Sequence, residues 1–73
     1  MKDFATNTEV QWQWGNGSAT GYVREKFTES VTKTIDGTDV TRNADGSNPA
    51  YLIEQSDGQR VLKSASELKK VND

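Results

Sequence analysis

The stretch Val10-Gln11-Trp12-Gln13-Trp14-Gly15-Asn16-Gly17-Ser18-Ala19-Thr20-Gly21-Tyr22-Val23 decides the fold. With Glu9 before it, the first part alternates: Val10, Trp12 and Trp14 share one face, Glu9, Gln11 and Gln13 the other. Period-two alternation with aromatic residues marks a half-buried strand over Glu9–Trp14. Gly15-Asn16-Gly17-Ser18 then reverses the chain. Asn-Gly tolerates positive φ at both centres of a type I′ turn, so a hairpin centred on Asn16-Gly17 is predicted.

The return segment, Ala19–Ile35, supports two readings. Ala19, Gly21, Val23, Phe27, Val31 and Ile35 are all odd-numbered and would share a strand face, but the last four are also spaced by four, as on a helix. Thr28, Val31, Thr32, Thr34 and Ile35 are β-branched and suit a pleated surface, and no capping residue precedes Val23, so strand is preferred. The same face carries Glu25, Glu29 and Lys33, which requires a long strand to bend or bulge. Asp36-Gly37-Thr38 is a turn, followed by a short strand over Asp39–Asn43.

Asn43–Pro49 is a loop by composition. Ala50–Gln55 reads as a strand, Ser56–Gln59 as a turn and Arg60–Lys63 as the returning strand. Ser64-Ala65-Ser66-Glu67 has capping-box spacing, which predicts a short helical turn near Ser64–Lys70 with Leu68 and Val71 packed on the sheet. Met1–Thr8 reads as a loose, flexible lead-in and Asn72-Asp73 as a free end, leaving one domain over residues 9–71. Five short strands and one helical turn predict a small closed β-barrel.

Composition bounds the function. Leu, Ile, Val and Phe make up 13 of 73 residues, a small core to which two Trp and two Tyr add area. There is neither Cys nor His, which removes disulfides, thiolate metal sites and the usual nucleophile–base pairs. No catalytic frame, cofactor motif or metal site is read. Thr41-x-Asn43-x-Asp45-Gly46 fails as a calcium loop because Thr41 and Leu52 stand where Asp and Glu are required. Asn16-Gly17-Ser18 fits the glycosylation pattern but reads as a turn. The N-terminus has no apolar run and no stretch is long enough to span a membrane, so a cytoplasmic location without membrane partners is expected. A net charge of −2 gives the domain as a whole no pull toward phosphate backbones.

The string Val10-x-Trp12-x-Trp14-Gly15-Asn16-Gly17-x-Ala19-x-Gly21-x-Val23 resembles the opening of the hypervirulence-associated protein Tudor domain family. The resemblance continues through Glu25, Phe27-Thr28, Val31-Thr32, Ile35, Gly37, Val40, Arg42-Asn43, Pro49-Ala50-Tyr51, Ile53, Gln55, Asp57-Gly58, Val61-Leu62-Lys63 and Ser66-Glu67-Leu68. It covers about residues 9–70. It implies a five-stranded, SH3-like (Tudor-like) barrel in which 19–35 is one long bent strand. It carries over no catalytic or ligand residues. Other Tudor-type barrels bind methylated side chains or nucleic acid, a likeness of fold alone.

The aromatic residues give the candidate site. Trp14, Tyr22 and Arg24, with Tyr51 as a neighbour, are the expected ligand-binding residues, the rings stacking and Arg24 supplying charge and hydrogen bonds. Their expected partner is a protein or peptide. An aromatic cage for a methylammonium group would need Trp14 and Tyr22 exposed together. The competing expectation is that these rings fill the core. Tyr22, Arg24 and Lys26, expected on one strand face, form the alternative site, for single-stranded nucleic acid, with solvated surface as the plain reading. A structural or self-associating domain is the third reading, with a monomer as the default.

Overall fold

The hairpin forms, but its turn falls one residue earlier than expected. In the computed structural model, which describes residues 3–71, β1 (Glu9–Trp14) and β2 (Gly17–Phe27) pair antiparallel from Glu9↔Tyr22 to Trp14↔Gly17. The two-residue loop is therefore Gly15-Asn16, and only Gly15 has positive φ there, at 55°. A glycine at the first central position serves a type II′ turn, so Gly15 does the work assigned to Asn16-Gly17.

The expected long strand over 19–35 is two strands. β2 stops at Phe27, Thr28–Ser30 turn away, and β3 (Val31–Ile35) starts a separate hairpin with β4 (Thr38–Arg42). Asp36 and Gly37 close that hairpin with φ of 53° and 78°. β5 (Ala50–Glu54) pairs with β2 on one side and β6 (Arg60–Ser64) on the other. A single 3-10 turn, Ala65–Glu67, follows. Glu67 accepts the Ser64 N–H at 3.0 Å, as the capping spacing predicted. The helical turn does not reach Lys70: Lys69–Lys70 form β7, paired with Val10 and Gln11 of β1.

Among the described residues, seven strands thus replace the expected five. They form a sheet of order β6-β5-β2-β1-β7 and the separate β3-β4 pair, and among the described residues no ladder joins the two into a closed barrel. Met1, Lys2, Asn72 and Asp73 lie outside the described residues, and with them the first two positions of the lead-in and the free end.

The core lies on both sides of β5. Tyr51 and Ile53 face a cluster with Phe4, Val10, Trp12, Val23 and Leu68, while Ala50 and Leu52 face a second with Ile35 and Leu62. β2 serves both because of a bulge. Val23 pairs with Ile53, yet Glu25 pairs with Leu52, leaving Arg24 as the extra residue. One inserted residue reverses the inward phase of a strand. Odd-numbered Val23 therefore points to the first cluster and odd-numbered Phe27 to the second. Phe4, expected in a loose lead-in, is buried in the first cluster, and Asn7 and Thr8 exchange backbone hydrogen bonds with Val23 at 2.7 and 3.0 Å.

Gly21 is buried where β2 crosses Ile53. A Cβ there would stand 2.6 Å from the Ile53 Cγ2 and 2.9 Å from the Glu54 carbonyl oxygen. Only glycine allows this approach.

Candidate functional site

The four expected site residues do not form one surface. Trp14 is 72% exposed, whereas Trp12, two residues earlier on the same face, is buried. Tyr22 is 40% exposed but sits opposite Glu9, at the other end of the hairpin. That is five residues from Trp14, about 17 Å along the strand, and on the opposite sheet face. Tyr51 is fully buried and belongs to the core, so it is no neighbour of an exposed site. A cage built from Trp14 and Tyr22 together is excluded by this placement.

Arg24 stays with Tyr22. Its guanidinium lies 5.9 Å from the ring centroid, donates to Glu54 at 3.0 Å and to the Asn7 side chain at 2.6 Å. Lys26, expected on the same face, is carried to the other one by the bulge: it pairs with Tyr51, while Tyr22 pairs with Glu54. Its ammonium donates to Asp3 at 2.8 Å. The stripe Tyr22–Arg24–Lys26 is thus divided, and both of its cations already have carboxylate partners.

Asp3 is a hub that the sequence hid. It accepts from Lys26 and, at 3.0 Å, from the Tyr51 hydroxyl, which in turn accepts the Phe4 backbone N–H at 3.0 Å. These bonds, the Lys26 one first, hold the Asp3 carboxyl below its ordinary range. Burial pushes the Tyr51 phenol up, and the Asp3 bond raises Lys26. Each group is held in the charge state that its neighbours need, which marks a structural anchor.

What remains open is the ground around Trp14. Trp14 lines a groove of about 190 Å³ together with the apolar Trp12, Ala19 and Val61 and the polar Gln55 and Gln59. Ala19 is the cross-strand partner of Trp12, and Val61 packs against the same cluster. No carboxylate lines the groove among the described residues. The arrangement suits a neutral apolar side chain with an amide-bonded backbone better than a methylated cation. Gln55, Gln59 and Val61 lie about 40 residues from Trp14 in the chain, so no local pattern pointed to them. A second cleft, of about 330 Å³, runs between Gln13 and the 3-10 turn at Ser66-Glu67 and is mostly polar.

Fold and grooves together define a small antiparallel β domain built around one doubly buried strand. Residues 8–68 match the family described as hypervirulence associated proteins TUDOR domain, and the chain belongs to that family, as its motifs indicated. No curated protein and no solved structure gave a match. No helix among the described residues is long and apolar enough to cross a membrane.

Proposed function

We propose that the domain is a non-catalytic interaction module that binds a segment of a partner protein in the groove lined by Trp14. We read its two packed sheets as an open form of the Tudor-type barrel, and keep the cytoplasmic location expected from the sequence. The supporting observation is one exposed indole lining a groove that it shares with apolar Trp12, Ala19 and Val61. A large ring costs little conformational entropy to immobilise, and Trp at the centre of a patch commonly dominates binding energy. The Gln55 and Gln59 amides would fix the backbone of the ligand. Membership of a Tudor domain family supports a binding module over an enzyme.

The test is capture of partners from native lysate by wild-type domain, Trp14→Ala and Tyr22→Ala. Loss with Trp14→Ala alone supports the groove. Equal capture by Trp14→Ala and wild type removes it. The nucleic-acid reading through Tyr22, Arg24 and Lys26 stands second, because Glu54 and Asp3 compete for its cations. It predicts an affinity for labelled single strands that falls steeply with salt. Absence of micromolar binding at low salt ends that reading.

A further inference from the structure

We propose that the occupant of the Trp14 groove is a neutral, proline-bearing segment in the polyproline II conformation, an inference that rests on that groove being the binding site.

The residues lining the groove have already used their backbone groups. Trp14 and Gly17 close a two-residue hairpin loop, where facing residues exchange both N–H to carbonyl bonds, and Trp12 and Ala19 repeat that phase two residues on. The Gln55 N–H donates to the Gln59 carbonyl at 2.7 Å, and the Gln55 carbonyl accepts from the Gly58 N–H at 2.9 Å. The Gln59 N–H donates to the Asp57 carboxylate at 3.0 Å. Val61 faces Ile53 in the β5–β6 ladder, in the phase set by Gln55 and Gln59. A ligand lying here therefore finds no backbone edge to extend as an added strand.

What the groove offers instead are side-chain groups. The Gln55 and Gln59 amides and the Trp14 indole N–H make no hydrogen bond among the described residues. The indole only donates, and each amide brings two N–H bonds but one oxygen, so donors outnumber accepting oxygens. The complement of such a set is a ligand rich in carbonyls and poor in N–H groups. Proline keeps its carbonyl and has no N–H. Ordinary residues bring an N–H each, and one shut away from water without an acceptor opposes binding.

Shape and charge agree. Trp12 and Trp14 belong to β1, Gln55 follows β5, and β2 lies between those two strands. The aromatic and amide sides thus stand two strand spacings apart, about 10 Å, which admits a single extended chain. None of the six residues that line the groove is charged, so a Lys, Arg, Asp or Glu side chain has no counter-charge there. A pyrrolidine ring presents an apolar face to the exposed indole. The polyproline II helix has no internal hydrogen bonds, so its carbonyls remain free for the amides, and its stiffness limits the entropy lost on binding.

The experiment titrates nitrogen-labelled domain with acetyl-Pro-Pro-Val-Pro-Pro-amide and with acetyl-Ala-Ala-Val-Ala-Ala-amide, which restores the N–H groups. The proline peptide is expected to shift the side-chain N–H resonances of Trp14, Gln55 and Gln59. The alanine peptide is expected to bind at least about fivefold more weakly. Gln55→Glu keeps the side-chain shape and replaces a donor by an acceptor, and is expected to weaken the proline peptide about threefold or more. Trp14→Ala is expected to abolish its binding. The inference is overturned if the proline peptide moves none of the three side chains up to millimolar concentration, if the alanine peptide binds as well, or if either variant binds the proline peptide like wild type. Any of these results, beside partner capture that is lost with Trp14→Ala, overturns the proline occupant and leaves the groove as the site. Capture unchanged by Trp14→Ala removes the groove itself, and this inference with it.

Discussion

The Tyr51 hydroxyl accepts the buried Phe4 backbone N–H at 3.0 Å while the two rings meet edge to face, 5.5 Å apart. One side chain of β5 thereby ties down the segment preceding β1. Tyr51→Phe keeps the ring and removes the acceptor. An orphaned buried N–H costs about 1–3 kcal/mol, so the variant is expected to unfold at lower urea with an unchanged slope.

The same phenol sets an alkaline limit. Burial raises its folded pKa above the ordinary value of 10.0. The unfolded chain therefore loses that proton first, and stability is full below this value and declines as pH rises through the folded one. Lys26, raised by Asp3, acts in the same direction. Urea midpoints are expected to fall toward about pH 11, and less steeply in Tyr51→Phe than in wild type.

Acid acts through Asp3 and Asp45. Both carboxyls are held below 3.8, Asp3 chiefly by Lys26 and Asp45 chiefly by the Ser47 hydroxyl. Their stabilisation is full above the unfolded value and is lost as pH falls through the folded one. Asp3→Asn is expected to be less stable at neutral pH and to show a shallower acid decline, read as thermal midpoints across an acid series.

Gly21→Ala places a methyl group against Ile53 and the Glu54 carbonyl. Backbone cannot step aside as a flexible chain end can, so a loss of about 1–3 kcal/mol is expected. Thermal unfolding followed by circular dichroism measures it. A wild-type midpoint would mean that β2 and β5 do not approach this closely.

Trp14→Ala removes an exposed ring and is expected to change stability by no more than about 0.5 kcal/mol. It leaves buried Trp12 as the sole indole. The emission spectrum is therefore expected to shift to the blue and lose most of its quenching by iodide.

The first hairpin was legible because Val10, Trp12, Gly15 and Val23 each state the same pattern independently. The break at Thr28–Ser30 was not, since β-branched residues continue on both sides of it and spacing by two runs straight through. A bend or bulge in this strand was foreseen, but not its place at Arg24. Its effect, moving Lys26 to the face opposite Tyr22, depends on pairing with β5 and has no local signature. The exposure of Trp14 was also beyond reach: it has the same pleat phase as Trp12, but it pairs with Gly17 at the hairpin end, outside the cluster that holds Trp12. Asp3 and Phe4, isolated in a polar run, gave no periodic signal at all.

The doubly buried β5 bears on the order in which the chain is made. Val10, Trp12 and Val23 emerge from the ribosome long before Tyr51 and Ile53, which cover them. Through that interval the first hairpin has a sticky, uncovered face, because an isolated pair of strands is barely stable in water. Assembly must wait for a contact between residues about 40 apart, which slows folding of the domain and leaves the growing chain most vulnerable to association just before residue 50 appears.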